Sequence, residues 1–168
     1  MSDKNTFLDT IKTSTIQDFI VDVRGYANEM TLEVKAANIY EVLKLLKTQF
    51  NFNYLADITA SDHYTDEGRF EVAYNILSME GRQRLRVCCR VEEDDPEVDS
   101  VVSLWGAAEW YEREAYDMMG VTFRNHPDLR RMYMPEDYAY YPLRKEFPLL
   151  GIPGSIQLPE KDAPKEYK

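Results

Sequence analysis

"TLEVKAANIYEVLKLLKTQF", residues 31–50, changes its apolar period part-way through. Thr31, Glu33 and Lys35 alternate with Leu32, Val34 and Ala36, the period-two pattern of a strand with one face buried. After Asn38 the apolar residues become Ile39, Val42, Leu43, Leu46 and Phe50, spaced as one stripe of a helix. Asn38 stands where an N-cap is expected. A one-faced strand followed by a one-faced helix has to bury both faces, and the economical solution is a helix lying on a sheet.

The same reading extends in both directions. "DFIVDVRGYANEM" (18–30) supplies a preceding strand and a turn near Gly25–Glu29. "NYLADITASDHY" (53–64) reads as strand into loop. "GRFEVAYNILSM" (68–79) is a strand with Phe70, Val72, Tyr74 and Ile76 on one face, and "RQRLRVCCRV" (82–91) alternates again. "EEDDPEVDS" (92–100) reads as an acidic loop, with Asp99 or Ser100 expected to start a short helix. A second main helix is expected from Ala107 to Met119, with Ala108, Tyr111, Ala115, Met118 and Met119 as its core face. The expected fold is α+β over residues 1–123: a small antiparallel-rich sheet packed with two main helices.

Beyond residue 123 the texture changes. Seven of the eight prolines lie at or after Pro127, so neither a helix nor a central strand can run through this part. Yet it carries Leu129, Met132, Tyr133, Tyr138, Tyr140, Leu143, Phe147, Leu149, Leu150 and Ile152, too apolar for a solvated linker. Residues 124–168 are therefore expected to form an extended proline-rich C-terminal arm that docks on a partner. Charge divides at the same place. Residues 1–123 hold 12 basic and 23 acidic side chains, whereas 124–168 hold 8 and 7.

The total of −10 argues against nucleic-acid or anionic-lipid binding, which require a basic footprint. No run of apolar residues is long enough to span a bilayer, so direct membrane insertion is not expected. The start "MSDKNTFLDTIKTS" lacks the apolar block of a secretory signal. Cys88 and Cys89 are the only cysteines, and on a strand they point to opposite faces. With His63 and His126 the only histidines, the chain offers no zinc or iron–sulfur ligand set. No cofactor is expected in this chain.

Candidate chemistry concentrates in "EREAYDMMGVTFRNHPDLRR", residues 112–131, with four acidic residues, four arginines and one histidine. Glu109, Arg113 and Asp117 stand four apart on the expected helix, and such ladders are usually solvated or meet a neighbour. Glu112 and Glu114 diverge by about 200° around the helix, so they do not converge as an acid/base dyad. His126 precedes a proline in a loop, which suits a structural or interface histidine. Arg82, Arg84, Arg86 and Arg90 are expected on one strand face, but without the interleaved aromatics that stack bases. Two function classes thus stand against a docking role: an enzyme using the carboxylates of 109–117, and a free-standing module binding through the strand arginines. No catalytic, cofactor-binding or metal residue is assigned.

The stretch resembles the signature of the thirty-kilodalton subunit family, the C subunit of respiratory complex I. Glu112-Arg113-Glu114 is followed by Asp117, two apolar residues, a six-residue gap to His126, then Arg130 and Met132. "HPDLRR", "MPEDY" and "PLRKEFPL" continue the likeness, which runs from about Trp105 to Leu150. Met119, Val121 and Tyr141 depart from the family pattern; a His is frequent at the place of Tyr141.

The resemblance implies a cofactor-free, non-catalytic subunit in the peripheral arm of a proton-translocating NADH:quinone oxidoreductase. It would brace the D subunit, of the forty-nine-kilodalton type, near the quinone site and adjoin the neighbouring iron–sulfur subunits. Iron–sulfur clusters, flavin and quinone would then belong to partner subunits. The location would be the cytoplasmic side of a bacterial cell membrane, peripheral through the complex. Glu112, Arg113, Glu114, Asp117, His126, Pro127, Asp128, Leu129, Arg130, Arg131, Pro142, Leu143, Arg144 and Lys145 would carry the family motif and the partner interface. An equivalent subunit of a membrane-bound hydrogenase or ferredoxin:quinone oxidoreductase is the alternative.

Overall fold

The structure, a computed structural model, describes residues 15–26 and 29–155. The N-terminal stretch, the middle of the first expected turn and the end of the arm lie outside the described residues. Strands β1 (Ile20–Tyr26), β2 (Glu29–Val34), β3 (Tyr54–Asp62), β4 (Phe70–Ser78) and β5 (Gln83–Val91) form one sheet in the order β1-β2-β5-β4-β3. Three of its pairings are antiparallel. The fourth, β2 with β5, is parallel, with Leu32 opposite Val87. A parallel neighbour has to be reached by a crossover, and the change of period in residues 31–50 provides it.

Helix α1 (Ile39–Gln49) buries Ile39, Val42, Leu43 and Leu46. Each such side chain contributes roughly 1.5–3 kcal/mol relative to exposure. Asn38 occupies the N-cap position, but its side chain makes no capping hydrogen bond. A 3-10 turn over Ala36–Asn38 leads into the helix instead. Phe70, Val72, Tyr74 and Ile76 of β4 face the core with Leu85, Val87, Cys89 and Val91 of β5.

Two short strands, β6 (Glu97–Asp99) and β7 (Thr122–Arg124), pair in parallel as a second, two-stranded sheet. This corrects the reading of 92–100 as loop only, and of Asp99 or Ser100 as a helix start. Val98 is fully buried in β6, and Val101 to Trp105 form a single turn. A three-residue strand inside an acidic run is too short to show a period. Helix α2 (Ala108–Met119) follows and ends at Gly120, whose φ of 77° gives the left-handed C-cap. Among the described residues no helix is long and apolar enough to cross a membrane.

Candidate functional site

Helix α2 sends its charged residues in three directions. Glu112 turns into the core, where one carboxylate oxygen accepts the Val101 N–H at 2.7 Å. Burial pushes this carboxyl up to about 7, although the Ser100 hydroxyl and the Val101 N–H draw it partly back. Asp117 is also fully buried, but on the opposite flank. Glu114 remains exposed.

Glu109, Arg113 and Asp117, expected as a ladder that is solvated or meets a neighbour, do not pair with one another; Arg113 and Asp117 reach the following chain instead. Asp117 Oδ2 accepts the backbone N–H groups of Met132, Tyr133 and Met134 at 3.0, 2.6 and 3.0 Å. Its Oδ1 accepts from Arg131 at 2.9 Å. Burial alone would raise this carboxyl, but the three N–H groups and the guanidinium together hold it below the ordinary carboxylate range. Arg113 donates to the carbonyls of Arg130 and Arg131 at 3.1 and 3.2 Å and stacks on the Trp110 ring. The Glu109 carbonyl meets His126 Nε2 at 3.1 Å.

The segment after β7 therefore lies along its own domain. Leu129 packs against the core, Pro127 is exposed, and Asp128 and Arg130 form a local solvent-facing pair. Farther on, the Leu143 N–H donates to the Met118 carbonyl at 3.1 Å, while the Leu143 side chain stays exposed. Pro142 is half-buried beside it. Arg144 donates to the Met119 carbonyl at 2.8 Å and lies over the rings of Phe70 and Tyr141. Tyr141, a departure from the family pattern, thus serves as a stacking surface for Arg144 and also for Arg131.

A second anchor gave no signal in the sequence. Arg69, buried at the start of β4, makes two bonds to Asp62 at 3.0 and 2.8 Å. It also pairs with Glu93 at 2.5 Å and with Glu146. Asp62 accepts the Lys145 N–H at 2.8 Å as well, which ties the segment to the end of β3. The Arg69 bonds hold the Asp62 carboxyl far below its usual range against the cost of burial. Asp62 and Arg69 meet only because β3 and β4 are paired, with Asp62 opposite Phe70.

The sheet face away from the helices is not a basic stripe. Arg82 leaves the strand in a turn with φ of 50°, and Arg90 lies beside Glu33 and Glu71. Arg24 bonds Glu33 at 2.8 Å. Cys88 and Cys89 do point to opposite faces, Cys88 toward Arg24 and Cys89 into the core. A crevice of about 340 Å³ opens on this sheet between Met30, Asn75 and Arg84, and another of about 460 Å³ lies beside Arg69, Glu93 and Glu146. Among the described residues no group of three or more His, Cys, Asp or Glu side chains is placed to hold a metal ion.

Residues 32–152 match the family described as respiratory-chain NADH dehydrogenase, 30 Kd subunit. The chain belongs to this family. The NADH-quinone oxidoreductase C subunit of Citrifermentans bemidjiense is 44% identical over 132 residues, which is 79% of this chain and 82% of that one. Among solved structures, a trypsin-resistant fragment of Nqo5 is 29% identical with a TM-score of 0.64, covering 75% of this chain and 98% of the fragment. A chain from the archaeal membrane-bound sulfane sulfur reductase shares the fold, with a TM-score of 0.74 at 24% identity over 89% of this chain and 88% of that one. Within the matched span, Arg113, Asp117, His126, Arg131 and Arg144 make contacts that hold residues 126–146 against α2, whereas Glu114 and Pro127 are exposed.

Proposed function

We propose that this chain is a cofactor-free structural subunit in the peripheral arm of a proton-translocating NADH:quinone oxidoreductase. It braces the forty-nine-kilodalton-type D subunit near the quinone site, beside the iron–sulfur subunits, on the cytoplasmic side of the membrane. Clusters, flavin and quinone reside in those partners. The names of its relatives support the complex. The observation that carries the bracing role is the outer side of the C-terminal segment. Its inner side is committed to Asp62, Asp117 and the α2 carbonyls, while Leu143, Leu149 and Leu150 point away from the domain. Leu149 and Leu150 are 101% and 98% exposed. Adjacent fully exposed leucines on a segment held in place at its root suit burial in a partner better than solvent. That the related Nqo5 was solved as a trypsin-resistant fragment agrees with a protected domain bearing a protease-sensitive extension.

Limited chymotrypsin digestion of the full chain, alone and with its cognate D subunit, tests this. Cleavage after Leu149 and Leu150 is expected to be fast alone and suppressed in the complex. Equal cleavage in both states overturns the bracing role.

A further inference from the structure

Glu112 is deeper in the protein than an interface carboxylate would be. Its side chain and that of His126 are both fully buried, with Oε2 4.0 Å from Nε2. Oε1 accepts the Val101 N–H, but Oε2 has no hydrogen-bond partner. The Tyr74 hydroxyl, within electrostatic reach of Glu112, is also buried without a partner.

His126 is not a counter-ion in this arrangement. Its Nδ1 accepts the Asp128 N–H at 3.0 Å, so that nitrogen carries a lone pair. The ring proton is therefore on Nε2, where it is donated to the Glu109 carbonyl at 3.1 Å. In this tautomer the ring presents an N–H, not a paired counter-ion, to Glu112. The other groups on this side are Tyr74 from β4, Cys89 from β5, Asp99 at the end of β6, and Ser100. None supplies positive charge, and Asp99 is itself paired with Arg124 at 2.9 Å. A buried carboxyl with only the Val101 N–H and the Ser100 hydroxyl as donors, an unpartnered Oε2 and no cation favours the neutral acid.

We propose that Glu112 is a proton-operated latch at the root of the C-terminal segment. In its acid form it leaves His126 bridging the Glu109 carbonyl and the Asp128 N–H, and the segment starts from a fixed turn. On ionisation its proton passes to solvent and Oε2 becomes a bare buried anion next to the Nε2–H. That anion draws the ring from the Glu109 carbonyl, and because the ring is rigid, Nδ1 leaves the Asp128 N–H. The burial that pushes this carboxyl up to about 7 sets the working range of the latch near neutral pH.

The test is NMR of the full chain with carbon-13-labelled glutamate side chains, together with hydrogen exchange of the Asp128 amide. One carboxyl carbon is expected to titrate with a midpoint near 7 and to be missing from Glu112→Gln. Across that midpoint Asp128 protection, corrected for intrinsic exchange, is expected to fall roughly fivefold, the factor for one net hydrogen bond. In Glu112→Gln the protection is expected to stay level. The latch is overturned if every glutamate titrates below about 5. It is equally overturned if Asp128 protection ignores the Glu112 midpoint, or falls by the same factor in Glu112→Gln. Should Glu112→Gln not fold, the two wild-type measurements still decide.

Discussion

Asp117 and Arg131, fourteen positions apart in the chain, form a buried ion pair at 2.9 Å that also closes over three backbone N–H groups. A carboxylate with four protein donors is well compensated for its burial, and the segment it holds has no ladder hydrogen bonds of its own. One α2 side chain thereby gives shape to a stretch whose prolines forbid regular structure.

Asp117→Ala should cost about 3–5 kcal/mol, because it leaves a buried guanidinium and three N–H groups without their acceptor. Urea denaturation of the two proteins measures the difference. The pH dependence has a definite sign. The folded-state carboxyl lies below its ordinary value of 3.8, so its stabilisation is present above that value and is lost as pH falls through the lowered one. Wild type is expected to lose stability faster than Asp117→Asn on acidification in this range.

Gly120→Ala should destabilise by about 2–4 kcal/mol through two additive effects. The φ of 77° is strained for alanine. An added Cβ would also lie 2.6 Å from the Arg144 guanidinium and 2.7 Å from the Tyr141 ring. Thermal melting of the purified variant checks this. A change under about 0.5 kcal/mol, within the range of ordinary surface substitutions, would show that the segment does not lie against the helix end as described.

Arg144→Glu, which from sequence reads as loss of a docking contact, should instead weaken the subunit itself. The side chain is committed within the chain, to the Met119 carbonyl and to two aromatic rings. An introduced carboxylate would face that carbonyl and lie beside Glu146. A loss of about 2 kcal/mol or more is expected in denaturant titrations, from the lost bond and the unpaired charge. Leu149→Asp with Leu150→Asp separates the two roles. Folding stability should change by less than about 0.5 kcal/mol, since both side chains are fully exposed. Recovery of the complex with the D subunit should fall, and unchanged recovery would exclude these leucines from the interface.

Arg69→Lys should not behave as a conservative change. The guanidinium spans Asp62, Glu93 and Glu146 together and lies over Tyr64 and Phe70, which a single ammonium does not reproduce. A loss of roughly 2–3 kcal/mol is expected from one carboxylate left buried with too few donors. Faster amide exchange at Lys145, whose N–H is bound to Asp62, would accompany it.

Period and turn chemistry made the sheet strands and both helices legible, because each buries one face and so repeats its apolar residues at a regular interval. Strands β6 and β7 escaped because three residues show no period. The charges of α2 were placed on the correct helix but given the wrong surroundings. Helical angle separates Glu112 from Glu114 without saying which of them faces the core. Nothing local marks Glu112 as buried, since its neighbours in space are Val101 and His126 from the loops on either side of the helix. The pairing of Asp62 with Arg69 was likewise invisible, being a product of strand register.

Sequence alone determined the five main strands, both helices and the family, since each follows from local chemistry: side-chain period, and a motif carried in one continuous stretch. Tertiary structure alone decided which charges are satisfied within the chain and which groups remain for a partner. Burying a carboxylate requires donors brought from distant residues, and only the folded chain determines which ones arrive. It buried two carboxylates of α2, Asp117 holding the C-terminal segment and Glu112 facing the core, and it left Leu149 and Leu150 uncovered.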